Sequence, residues 1–104
     1  MTPPSQERRG FKRVTYPCEA RGYGVGESLF KASISDLSVD GAFVHTTTEL
    51  PPGTIVLLRF EAAGARLKLE GEVIHCQRGS GLGVRFVSLT ETQRAAIESI
   101  GRSE

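Results

Sequence analysis

The chain has 104 residues, 38% of them hydrophobic and 24% charged, with a formal net charge of +1. That length accommodates one domain with one small core, and no run approaches the ~18 apolar residues that a membrane-spanning helix requires. A nearly neutral balance excludes a protein that coats nucleic acid or a lipid surface through bulk charge alone.

Residues 1–8 are polar, contain Pro3-Pro4 and show no hydrophobic period, which predicts a flexible arm. The start lacks the basic-then-apolar order of a secretory signal, so a cytoplasmic protein is expected. Charge gathers where this arm meets the first structured element: Arg8, Arg9, Lys12 and Arg13 stand there against the single acid Glu7.

From Val14 the pattern becomes that of a half-buried strand. Val14, Tyr16, Cys18 and Ala20 alternate with Thr15, Pro17, Glu19 and Arg21, and Pro17 marks the strand as an edge or an interrupted one. Gly22, Gly24 and Gly26 predict a turn, after which Phe30, Ala32 and Ile34 give a second strand. The six residues from Asp36 to Gly41 read as a tight connection into a short third strand, 42–46. Pro51-Pro52-Gly53 ends that region. Val56, Leu58 and Phe60 then mark a fourth strand, and a turn at 62–65 leads to a fifth in which Leu67, Leu69, Gly71, Val73 and His75 share one parity. Gly79-Ser80-Gly81 turns the chain into a sixth strand carrying Leu82, Val84 and Phe86.

The last segment has a different period. Thr90-Glu91-Thr92-Gln93 has capping-box spacing, and Gln93, Ala96, Ile97 and Ile100 form one helical stripe that Gly101 is expected to close. Six short strands and one terminal helix predict an all-β fold closed into a barrel, because closure removes exposed strand edges. The domain is expected to span 9–101, with 102–104 as a tail.

The inventory for catalysis is thin. Two histidines, two cysteines and scattered carboxylates show no spacing that assembles a nucleophile, a base or a metal cluster. His75 and Cys76 are adjacent on a strand and point to opposite faces, which argues against a shared zinc ion. Cys18 and Cys76 belong to no CxxC pair and are expected to be free, buried thiols. Gly81-Leu82-Gly83-Val84 leads into a strand rather than opening a helix, so it reads as close strand packing rather than a dinucleotide loop. No enzyme, metal or cofactor is expected.

Two segments carry chemistry. Arg9 and Arg13, with Arg8 adjoining, read in isolation as a solvated basic tail. Asp36, Ser38 and Gly41 bring a carboxylate, a hydroxyl and a residue without a Cβ into six positions, which serves either an ordinary turn or a ligand that approaches the backbone closely.

Together, Arg9-Gly10-Phe11-Lys12-Arg13 and Asp36-Leu37-Ser38-Val39-Asp40-Gly41 resemble the RxxxR and [D/N]xSxxG motifs of the PilZ family of cyclic di-GMP receptors. The likeness runs from residue 7 to about 100 and includes Glu7-Arg8-Arg9, Pro52-Gly53, Gly71-Glu72-Val73 and Gly81-Leu82-Gly83-Val84-Arg85-Phe86. Position 40, often glycine in that family, is Asp40 here. The resemblance implies a six-stranded antiparallel PilZ-type barrel with a C-terminal helix. It also implies a site of Arg8, Arg9, Arg13, Asp36, Ser38 and Gly41, in which Arg9 and Arg13 grip phosphate and the O6/N7 edge of guanine. Asp36 would accept from guanine N1–H and the exocyclic amine. Ser38 would contact phosphate or order the turn, and Gly41 would let the backbone pass close to the ligand. An arginine at position 8 resembles members that hold an intercalated ligand dimer, and His75 falls near where some members stack an aromatic on guanine.

On this reading the chain is an adaptor that orders its arm on binding and signals to a partner protein, in motility, adhesion or surface polysaccharide control. No membrane insertion and no DNA or RNA partner are expected. Two alternatives stay open at the level of sequence. One is a PilZ-like scaffold without messenger binding, as in type IV pilus assembly. The other is a small barrel for single-stranded nucleic acid, against which stands the core parity of Tyr16, Phe30, Phe60 and Phe86.

Overall fold

The structure, a computed structural model, describes residues 15–24, 26–62 and 64–103, without the side chains of 101–103. Arg8, Arg9, Arg13 and the 1–8 arm lie outside the described residues. Strands β1 (Tyr16–Gly24), β2 (Gly26–Ser35), β3 (Gly41–His45), β4 (Ile55–Ala62), β5 (Ala65–Gln77) and β6 (Gly81–Phe86) precede one helix, α1 (Glu91–Ser103). All pairings are antiparallel, and the order β1-β2-β3-β6-β5-β4 closes through β4 onto β1.

Alternation decides which face each strand buries. Cys18 and Ala20 of β1, Ile34 of β2, Val44 of β3, Val56, Leu58 and Phe60 of β4, Leu67, Leu69 and Val73 of β5, and Leu82, Val84 and Phe86 of β6 form the core. Each fully buried aliphatic side chain contributes about 1.5–3 kcal/mol relative to exposure. Pro17 lies opposite Ser33 of β2, while pairing with β4 begins only at Cys18. Its missing N–H therefore falls where the strand has a neighbour on one side only.

Helix α1 is joined to the barrel by its first turn. Thr90 Oγ1 accepts from the Gln93 backbone N–H at 3.0 Å, and Gln93 Oε1 accepts from the Thr90 N–H at 3.0 Å, the reciprocal pattern of a capping box. The Gln93 side chain also donates to the Lys68 carbonyl of β5 at 3.0 Å. Ile97 and Ile100 complete the attachment by entering the core.

Three local expectations are corrected. Gly22 and Gly24 are strand residues, and the turn is confined to the hairpin apex where Gly24 faces Gly26. At Gly22 a Cβ would stand 3.0 Å from Leu50 Cδ1, a tight contact that the leucine side chain would have to yield to. The parity of β5 does not continue to His75. A register shift between Val73 and His75 inserts Ile74 as an extra residue, so His75 is exposed and Cys76, half-buried, packs against the core instead. Finally, α1 continues past Gly101 to Ser103. A glycine lowers helix propensity by about 1 kcal/mol without forbidding helical dihedrals.

Gly41 and Gly71 mark two of the close approaches within the barrel. A Cβ at Gly41 would collide with the Val84 carbonyl of β6, and one at Gly71 with the Val84 side chain. The obstacle at Gly41 is backbone, which cannot rotate away. Gly41→Ala is expected to destabilise the ligand-free protein by about 1–3 kcal/mol, the usual cost of overpacking, as measured by urea denaturation.

Candidate ligand-binding turn

The turn from Asp36 to Asp40 leaves β2 at Ser35 and re-enters the sheet at Gly41. Its neighbours are anchored on both sides of the sheet: Ile34 points into the core, and Ser35, of opposite parity, is also fully buried at 0% exposure. Asp36 takes φ 54°, the left-handed region that aspartate tolerates better than most residues with a Cβ. Leu37 then drops its side chain into the core. Within the turn, the Ser38 N–H donates to the Gly41 carbonyl at 2.9 Å, and Ser38 Oγ accepts from the Asp40 N–H at 3.2 Å. The Asp40 carbonyl accepts from the Phe86 N–H at 2.9 Å, which moors the turn to the end of β6.

Ser38 is thus occupied in shaping the turn, and Gly41 has a packing reason to be glycine. Asp36 and Ser38 are exposed on the outer surface, and Gly41 is half-buried beside them.

The site extends across the outer face of the sheet. Register aligns Ser35 with Phe43, Phe43 with Gly83, and Gly83 with His75. The glycines of β6 make room for rings on this face. A Cβ at Gly81 would collide first with the Val44 carbonyl and then with Phe43 Cε2 at 2.6 Å, and one at Gly83 would meet His75 Cδ2 at 3.1 Å. His75 is therefore on the same outer face as the turn, three strand spacings or about 14 Å from Ser35. An uninterrupted period of two had concealed this, because the bulge at Ile74 decides it.

Beneath the turn runs a polar chain that sequence reasoning missed. Ser35 Oγ donates to Asp36 Oδ2 at 3.2 Å and lies 2.7 Å from Nε2 of His45. The His45 ring is held edge-on to Phe43, with centroids 4.9 Å apart and an interplanar angle of 74°. Three residue types familiar from hydrolases meet here in the wrong order, since the serine is central, completely buried and bonded directly to the carboxylate. A signal was present in the sequence, because Ser35 and His45 flank a hairpin on strand positions of one parity, but only the register fixes their meeting.

A cavity on the barrel wall lies elsewhere. It has a volume of about 710 Å³, is lined by Cys18, Phe60 and Leu67, and is rimmed by Lys31, Arg59 and Lys68. Among the described residues, none of the predicted site residues lines it. Among the described residues no cluster of three His, Cys, Asp or Glu is placed to hold a metal ion, and no helix is long and apolar enough to cross a membrane.

A closed antiparallel six-stranded barrel, with an acidic turn on its outer wall and a C-terminal helix packed on it, defines a small β-barrel domain. The family model of the PilZ domain matches residues 7–100, and the chain belongs to that family. Among solved structures, the PilZ domain of CeSA from a cellulose synthesizing bacterium matches with a TM-score of 0.66 at 23% sequence identity. The match covers 90% of this chain and all of that one, and it shows a shared fold. A search of curated proteins finds no match.

Both cysteines are free, Cys18 buried and Cys76 half-buried. Burial pushes the Cys18 thiol from an ordinary 9.0 up to about 11, the nearby Arg59 backbone offsetting part of the rise. Below pH 9 the thiol is neutral whether the chain is folded or not. Above it, the unfolded chain ionises first, so this contribution to stability is present at neutral pH and is lost as pH rises through 11. Denaturant titrations between pH 8 and 11 are expected to show a fall in stability that is shallower in Cys18→Ala. In native protein, thiol reagents should label Cys76 well ahead of Cys18.

Proposed function

We propose that this chain is a non-enzymatic receptor for cyclic di-GMP, in which the Asp36 turn and the arginines of the RxxxR segment hold the ligand between them. Membership of the PilZ family and the presence of both motifs in order support this reading. The observation that carries it is the pairing of Tyr16 with Ile34. The first residues of β1 lie beside the last residues of β2, two positions before Asp36. Only Val14 and Thr15 separate Arg13 from Tyr16, three Cα steps that span no more than about 11 Å when fully extended. The arginine segment is thus covalently tied to the edge of the sheet that presents the acidic turn.

The chemistry suits the ligand. Cyclic di-GMP carries two phosphodiesters and two guanines. The planar guanidinium groups of Arg9 and Arg13 match either the phosphate oxygens or the O6/N7 edge, while the Asp36 carboxylate accepts from N1–H and the exocyclic amine. Arg8 extends the cationic run and suits a second, intercalated ligand molecule. His75 offers a ring on the same outer face. Ligand bridging the arm and the turn orders the arm against the barrel and creates a new surface for a partner protein, the step that makes the domain an adaptor.

Isothermal calorimetry with cyclic di-GMP, GMP and a short oligonucleotide tests the reading. Micromolar or tighter binding, about 8 kcal/mol, is expected for cyclic di-GMP alone, and the titration also gives the stoichiometry. Arg9→Ala, Arg13→Ala and Asp36→Ala are each expected to weaken binding at least ~10-fold while the melting temperature of the ligand-free protein barely moves. Unchanged affinity in all three would remove the site, and oligonucleotide binding in place of cyclic di-GMP would replace the function.

A further inference from the structure

Ser35 is the one residue of the turn region that is both polar and completely enclosed. A buried hydroxyl is costly unless its proton and lone pairs are used, and here both are: Oγ donates to Asp36 Oδ2 at 3.2 Å and lies 2.7 Å from His45 Nε2. A hydroxyl has a single proton. If that proton goes to the carboxylate, the 2.7 Å contact requires His45 to donate, which places the imidazole proton on Nε2. The ring cannot easily turn away, because Phe43 meets it edge-on at 4.9 Å. Asp36 itself has φ 54°, so its backbone fixes where the side chain leaves the turn.

We propose that Ser35 and His45 are positioning residues for Asp36. The Nε2–H of His45 orients the Ser35 hydroxyl, and the hydroxyl holds one carboxylate oxygen so that the carboxylate faces outward in a fixed pose. The inference rests on the reading of Asp36 as the guanine acceptor. It adds that guanine selectivity at this site depends on two residues that do not touch the ligand. An acceptor that must take two parallel donors, N1–H and the exocyclic amine, is sensitive to its own rotation. Adenine offers no such pair, so loosening Asp36 should erode discrimination before it erodes folding.

The test has two arms. In ligand-free protein at a pH where the ring is neutral, ¹⁵N chemical shifts of His45 are expected to show the Nε2–H tautomer. An Nδ1–H tautomer would reverse the hydrogen-bond order and overturn the proposal whether or not the protein binds any nucleotide. In the second arm, cyclic di-GMP and cyclic di-AMP are titrated into wild type, His45→Phe, His45→Gln and Ser35→Ala. His45→Phe keeps the ring contact with Phe43 and removes the donor, whereas His45→Gln keeps an amide donor near the same place. His45→Phe and Ser35→Ala are expected to lose about tenfold in affinity for cyclic di-GMP with little change toward cyclic di-AMP, and His45→Gln to restore most of the loss. In an Asp36→Ala background His45→Phe should have no further effect. Equal losses in both backgrounds, or equal losses for both nucleotides, would reduce the pair to structural residues. Absence of cyclic di-GMP binding in wild type would instead overturn the functional reading, and the tautomer would then decide the hydrogen-bond chain by itself.

Discussion

The antiparallel register of β1 on β2 and of β2 on β3 is the constraint from which the rest of the molecule follows. Tyr16 beside Ile34 and Val44 beside Ile34 set three strand segments side by side within two residues of Asp36. A slip of one residue in either pairing would invert every side chain of a strand. It would move Ile34 out of the core, bring Ser35 into it and separate Ser35 from His45. The buried row that stabilises the barrel and the polar chain that steadies the turn are opposite faces of one piece of sheet.

Much of this architecture was legible in the sequence, because closed antiparallel sheets translate burial into a period of two. Leu58 and Phe60, Leu67 and Leu69, and Leu82 and Val84 declare their faces without reference to distant residues. The capping box at Thr90 and Gln93 is equally local. What the sequence concealed depends on long-range pairing. Nothing in Val73-Ile74-His75 announces an extra residue, since the shift arises where β5, already paired with β4, turns to meet β6. Gly101 looked like a stop, yet a single glycine gives way when nothing requires a left-handed cap.

The candidate site shows the same division. Asp36, Ser38 and Gly41 stood out by type and spacing, and the structure finds them together where two paired strands join. Their individual duties were harder to read from letters. Gly41 is held by the Val84 carbonyl of β6 quite apart from any ligand, and Ser38 is engaged with the Asp40 and Gly41 backbone. Steric and chemical demands therefore fall on the same short motif. Ser35 and His45 escaped notice because their shared parity across a hairpin becomes a contact only once the register of β2 on β3 sets them diagonally side by side.

The positive φ at Asp36 also narrows the evolutionary routes open to this loop. Few residue types tolerate a left-handed backbone, chiefly glycine, asparagine and aspartate. Glycine would keep the bend and abolish the acceptor. Asparagine would keep both the bend and one oxygen while exchanging a negative group for a neutral one that also donates. A lineage drifting at this position thus meets a narrow gate: the inexpensive replacements spare the scaffold and alter the chemistry, so the recognition proposed for Asp36 would be lost or retuned before the fold was endangered.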